Sequence, residues 1–197
     1  ALRSFIETDR EATRGANADL KVVFSSLFDA VLRDVSDDIT QYRLAVRHGD
    51  GASQEKILPN SRWNFAQWEE RLEPFFPSYV YARLNANHVL AEEDVTYADP
   101  STPVRLCFVP KTAKGPRSIA IEPSWRMFIQ QGLMTSLVTS IERRGLPPRF
   151  SSSEANRQSA RLGSIDKSLA TIDLSSASDS VSARLVWELL SGRPKVR

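Results

Sequence analysis

Residues 104 to 123 read VRLCFVPKTAKGPRSIAIEP, and no other stretch limits the possible folds as much. VRLCFVP and RSIAIEP carry alternating or branched apolar residues, and KTAKG between them suits a loop, so the segment predicts a two-stranded hairpin. The flanking sequence is helical in period. Leu20, Val23, Phe24, Leu27, Phe28 and Val31 recur at helical spacing and predict an amphipathic helix over 18–33, with Asn17 or Asp19 as its cap. The expected class is therefore α+β.

Further helices are expected from Ile39 to Arg47, stopped by HGDG, and from Ser61 to Leu72 before Pro74. The second carries Trp63, Phe65 and Trp68, which suit a core better than a base-stacking platform. SYVYARLNANHVL suits another helix, and AEEDVTYADPSTP a polar connection. After Pro123, Ser124 is placed to cap a long helix with Met127, Met134, Leu137, Val138 and Ile141 on one face, closed by RRGLPP. RFSSSEANRQSARLGSIDKS reads as loop with a short helix.

Composition excludes several classes of protein. With 41% hydrophobic and 25% charged residues in 197, the chain is globular rather than fibrous or disordered. Cys107 has no partner for an internal disulfide, which points to a reducing cytoplasm, and no N-terminal run has the make-up of a signal peptide. No segment reaches the roughly 20 apolar residues that span a bilayer, and His48 and His88 stand too far apart to suggest structural zinc. The net charge is only +2, but it is unevenly placed. Between Ser101 and Arg126, Arg105, Lys111, Lys114, Arg117 and Arg126 face Glu122 alone, a local net of 5 − 1 = +4. Such a patch serves a phosphate-bearing partner or is a solvated face.

SLATIDLSSASDSVSARLVWELL, residues 168 to 190, predicts a strand, a turn and a helix. Asp173 would end the strand, where loops gather and ligands are commonly held. A carboxylate there is costly to desolvate unless it is paired, hydrogen-bonded or bound to a metal. Asp179 has a simpler explanation, since Ser176 and Asp179 fit a capping box.

SLATIDLSSASDSVS closely resembles motif A of the RNA-directed RNA polymerases of single-stranded RNA bacteriophages, the levivirus or Qβ-type replicase subunits. FVPKTAKGPRSIAIEPSWRMFIQQGL resembles their basic fingers motif, motif F, and the two occur in the family's order. The resemblance covers roughly residues 104 to 185. It implies a partial right-hand polymerase: a mainly helical region over 1–100, fingers with the basic hairpin over 101–168, and the first palm strand and helix over 169–197.

The implied chemistry is nucleotidyl transfer assisted by two divalent ions, magnesium or manganese in its place. Asp173 resembles the carboxylate that holds the ions, with the Leu174 backbone carbonyl beside it. Lys111, Lys114 and Arg117 match the basic positions over the triphosphate, and Arg117 can grip two phosphate oxygens at once. Asp179 resembles the residue near the ribose, where it would accept from a 2′-hydroxyl; this role is compatible with the capping one. Implied partners are template RNA, ribonucleoside triphosphates and the host elongation factors Tu and Ts, in the cytoplasm of a bacterial host and away from membranes.

The sequence has no Gly-Asp-Asp motif C and no motif B. The resemblance therefore implies an amino-terminal part of a replicase, inactive and marginally stable alone. Two alternatives remain: an RNA-binding module that has lost polymerisation, and an unrelated α+β domain in which DLSSASDS only caps a helix.

Overall fold

The computed structural model describes residues 2–12, 18–63, 65, 67–82, 96–99, 101–112, 115–146, 149–174 and 177–192. Two helices organise them. Helix α2, Ala18–Thr40, buries Val31, Leu32, Val35 and Ile39, a stripe at the four-residue spacing that brings side chains onto one face. Helix α4, Ser124–Arg143, sets Trp125, Phe128 and Ile129 in the same core, and the two helices pack together. A short helix α1, Leu2–Ala12, precedes them.

The segment between these helices wraps the core. Phe65, Trp68, Phe76, Tyr81 and Leu44 fill it, and the Trp68 indole N–H donates to the Phe76 carbonyl at 3.0 Å, so the largest buried side chain is also hydrogen-bonded. Phe65 lies 4.9 Å from Phe128, and the His48 ring lies 4.7 Å from Phe128 and 4.8 Å from Trp63, ring centre to ring centre. Strand β1, Gln67–Glu69, pairs in parallel with β2, Thr96–Ala98, in the register Trp68 to Tyr97. A single turn of helix, α3, spans Ser78–Tyr81.

Strands β3, Arg105–Thr112, and β4, Gly115–Ile121, form the expected antiparallel hairpin, and α4 follows directly. Helix α5, Glu154–Asp166, buries none of its residues, and Leu162 and Ile165 are exposed. Helix α6, Ala183–Leu189, lies against α2, with Lys21 and Glu188 paired at 3.3 Å. No described helix is long and apolar enough to cross a membrane.

Several local expectations fail for long-range reasons. The helix expected over 39–47 does not form: α2 continues to Thr40, Tyr42 turns left-handed at φ 53°, and 43–49 run extended so that Leu44 joins the core. The helix expected over 61–72 is replaced by β1 between two single 3-10 turns, because the 67–69 backbone pairs with a strand nearly thirty residues on. Of SYVYARLNANHVL only the first turn is described as helix, and β2 lies inside the presumed polar connection. Ser124 does not cap α4. Pro123 takes the cap position, while the Ser124 N–H and hydroxyl donate to the Glu55 carboxylate at 3.0 and 2.9 Å. A carboxylate from a distant loop thus sits at the positive end of the helix, which favours it electrostatically.

Gly132 marks the closest approach in the core. A Cβ built there would stand 2.7 Å from Val46 Cγ1, 3.3 Å from Leu44 Cβ and 3.4 Å from the Val46 Cα. Helix propensity alone favours Ala over Gly by about 1 kcal/mol. The 44–46 backbone cannot retreat without disturbing the buried Leu44, so overpacking of about 1–3 kcal/mol outweighs that gain. Gly132→Ala is expected to lower the thermal midpoint; a raised midpoint would show that the extended segment yields freely.

Candidate functional site

Among its described side chains the hairpin carries Arg105 at its base and Arg117 in β4. Its register pairs Arg105 with Ile121, Phe108 with Ser118 and Val109 with Arg117, with an irregularity between Pro110 and Thr112. Pro110 and Pro116 face each other, which is tolerated because both strands of a two-stranded sheet are edges. Gly115 sits at φ +143°, open to a residue without a side chain, and begins β4. Arg117 is exposed and makes no ion pair among the described residues. The Lys111 backbone belongs to β3; its side chain and all of Lys114 lie outside the described residues.

Two of the five cations counted in the sequence are used internally. Arg105 donates to the Ser53 and Gln54 carbonyls at 3.1 and 3.3 Å. Arg126 binds Glu69 at 2.7 Å and Glu122 at 3.3 Å. Burial disfavours the Arg126 charge, and the two carboxylates more than offset this, raising its pKa above the usual arginine value. The +4 of the linear count is therefore not a +4 surface. Glu69, only 5% exposed, was invisible to sequence reasoning, because its partner stands 57 residues away and no local pattern marks it.

Asp173 is placed differently from the expectation. Residues 168–174 form no strand, Asp173 is exposed, and Ile172 and Leu174 beside it are 80% and 71% exposed. A strand needs a neighbour to take its backbone hydrogen bonds, and none among the described residues pairs with this one. The desolvation cost that singled out Asp173 in the sequence therefore does not arise within these residues.

Asp179 is corrected too. It lies half-buried in the turn 177–180, before α6 begins at Ala183; Ser182 is the cap, its hydroxyl accepting from the Leu185 N–H at 3.1 Å. Ser176 lies outside the described residues. Asp179 is thus not a first-turn residue of α6, and its nearest described partner is the Ser178 hydroxyl at 3.4 Å.

A hard divalent ion takes about six oxygen ligands, several of them carboxylates. Among the described residues no group of three or more His, Cys, Asp or Glu side chains is placed to hold one. Asp173 and the Leu174 carbonyl do not make such a site by themselves. No hydrogen bond or ion pair among the described residues links Arg117 to Asp173 or Asp179.

The sequence profile described as RNA replicase, beta-chain, matches residues 15–195. The chain is similar to the RNA-directed RNA polymerase subunit beta of Escherichia virus Qbeta, 38% identical over 179 residues that cover 85% of this chain and 30% of that protein. It is also similar to the RNA-directed RNA polymerase beta chains of Enterobacteria phage GA, at 48% identity, and Escherichia phage MS2, at 43%. Each of these matches runs over 82 residues, covering 42% of this chain and 15% of the relative. The chain spans less than a third of the length of these relatives.

Proposed function

The chain belongs to the RNA replicase beta-chain family, and from that membership we propose that it serves phage RNA synthesis as the part of an RNA-directed RNA polymerase that grips the incoming triphosphate. The observation that carries this reading is the basic hairpin itself. Its base is tied to the core, and Arg117 is exposed without a protein partner among the described residues. A guanidinium in that state is free to form charge-assisted bonds with two phosphate oxygens, and Lys111 and Lys114 would add their charge beside it.

In this reading Asp173 contributes one carboxylate to the catalytic centre, with the Leu174 carbonyl next to it, and Asp179 accepts a hydrogen bond from the ribose 2′-hydroxyl. Magnesium, or manganese, is the ion the reaction class uses. Because the sequence carries no Gly-Asp-Asp motif, the further carboxylate ligands are proposed to come from other parts of the replicase, and these 197 residues alone are expected to be inactive. Template RNA and ribonucleoside triphosphates are the substrates; host elongation factors Tu and Ts are proposed partners, in the cytoplasm of a bacterial host.

The reading is tested by binding rather than by turnover. ATP titrated into the chain at low salt is expected to bind with an affinity that falls as salt rises, and Arg117→Ala is expected to weaken it about tenfold, roughly 1.4 kcal/mol. Equal affinity in the two proteins, measured by calorimetry, would remove the hairpin from triphosphate recognition.

A further inference from the structure

Both ends of the basic hairpin are fastened, by two separate sets of bonds. The first comes from the loop at 53–55: the Ser53 and Gln54 carbonyls accept from Arg105 at the start of β3, and the Gln54 N–H donates to the Glu122 carbonyl, just past β4, at 2.9 Å. Glu55 then holds Ser124 at the first turn of α4. The second set radiates from Arg126. Its Nε donates to Glu69 Oε2 at 2.7 Å, and one terminal nitrogen reaches both Glu122 Oε2 at 3.3 Å and the Thr102 carbonyl at 3.4 Å. Thr102 leads into β3 and Glu122 leads out of β4, so one guanidinium bridges the two legs of the arm.

Glu69 makes that bridge rigid. It is buried in β1, and its second oxygen takes Arg71 at 2.8 Å, so both oxygens are used and the carboxylate cannot swing. The Arg126 side chain is itself only 21% exposed. A buried ion pair of this kind is a weak source of stability, because desolvation offsets much of the attraction, but it fixes directions well.

We propose that Arg126, held between Glu69 and Glu122, is a positioning residue that sets the angle at which the basic hairpin leaves the core, and so where Arg117 meets the triphosphate. This rests on the hairpin binding triphosphate as described above. A lysine at 126 keeps the charge opposite Glu69 but has one nitrogen where arginine has three, and cannot span Glu69, Glu122 and Thr102 together. Positioning and mere support therefore give different results. A supporting role makes affinity and thermal midpoint fall together; a positioning role separates them.

The experiment compares the chain with Arg126→Lys, Glu122→Ala and Arg117→Ala by ATP binding at low salt, thermal melting, and amide hydrogen exchange. For Arg126→Lys the expected result is a midpoint within a few degrees of the parent, exchange that quickens in β3 and β4 but not in α2 and α4, and ATP affinity reduced on the order of tenfold. Glu122→Ala removes one leg of the bridge at a side chain 30% exposed, and should move affinity the same way by less. It decides the question if the lysine variant does not fold. Parent-like affinity in both variants, with Arg117→Ala still weak, would overturn the positioning role and leave the hairpin reading standing. Parent-like affinity in Arg117→Ala would overturn both.

Discussion

Asp173→Asn in a replicase carrying this sequence is expected to reduce RNA synthesis by about 1,000-fold, the scale on which one electrostatic group at a reacting phosphate or acyl centre matters. The same change should leave folding untouched. Asp173 is exposed, flanked by exposed Ile172 and Leu174, and makes no hydrogen bond or ion pair among the described residues, so an amide of equal size costs nothing there. That separation makes the variant informative. Primer extension with radiolabelled ribonucleotides reads the activity, and a melt of the same preparation reads the fold. Synthesis within tenfold of the parent would remove Asp173 from the chemistry. Asp179→Asn, by contrast, should act mainly on the choice between ribonucleotides and deoxyribonucleotides.

What the sequence made legible follows from the range of the interactions concerned. The hairpin was readable because its two strands and loop are contiguous and its register depends on near neighbours, Val109 facing Arg117 and Leu106 facing Ala120. The long helix after Pro123 and the start of α2 were readable as helices from their local apolar period, but not in which face they bury: Leu20, Val23 and Leu27 of α2 and Met134 of α4 are exposed, while Val31, Leu32, Val35 and Ile39 and then Trp125, Phe128 and Ile129 are buried. Misread segments were those settled from afar. Glu55 reaches across 69 residues to Ser124, β1 needs β2, and the extended 44–46 segment packs closely over Gly132 on α4. The strand expected at Asp173 is the same problem in reverse: its apolar residues suit a strand, and within the described residues no neighbour completes one. At the candidate site, sequence identified the outward residue Arg117 but counted Arg105 and Arg126 as part of the same patch. It had no means of finding the Glu69 that claims Arg126.

The largest stability effect is expected at the seam between α2 and α4. Partial burial alone would raise the Asp34 carboxyl, but a hydrogen bond from the Ser140 hydroxyl and the guanidinium groups of Arg144, at 2.7 Å, and Arg143, at 2.5 Å, override it and hold the pKa down at about 2. A neighbouring cluster, Asp38 with Ser136 at 2.7 Å and Arg43 at 3.0 Å, continues the seam. Against an unfolded value near 3.9, the depressed pKa corresponds to about 2 kcal/mol once partial exposure is allowed for. Asp34→Ala is expected to cost about 3 kcal/mol, because it also leaves the buried Ser140 hydroxyl without its acceptor.

The pH dependence has a definite sign. A carboxylate whose folded pKa lies below its unfolded one stabilises the fold fully above about pH 5 and loses that contribution as pH falls through about 4 towards 2. His48 works over a different range: burial, and then the charge of Arg62, lower its pKa, so its contribution falls away as pH drops below the unfolded histidine value of about 6.5. Both proteins share His48, so the difference in stability between parent and Asp34→Ala isolates Asp34. Urea denaturation should show that difference constant from pH 7 to 5 and shrinking towards pH 2. A difference independent of pH would mean that Asp34 acts by packing alone.

On the reading proposed above, this chain supplies the phosphate grip and one carboxylate to a polymerase whose other ligands lie elsewhere. The most direct test of that reading is the coding sequence that follows the codon for Arg197. The expected result is an open frame in which a hydrophobic strand and Gly-Asp-Asp occur within roughly 100–200 residues, the length of a domain. A stop codon in that position, with no such motif encoded in frame, would contradict the assignment of Asp173 to a polymerase centre in this polypeptide.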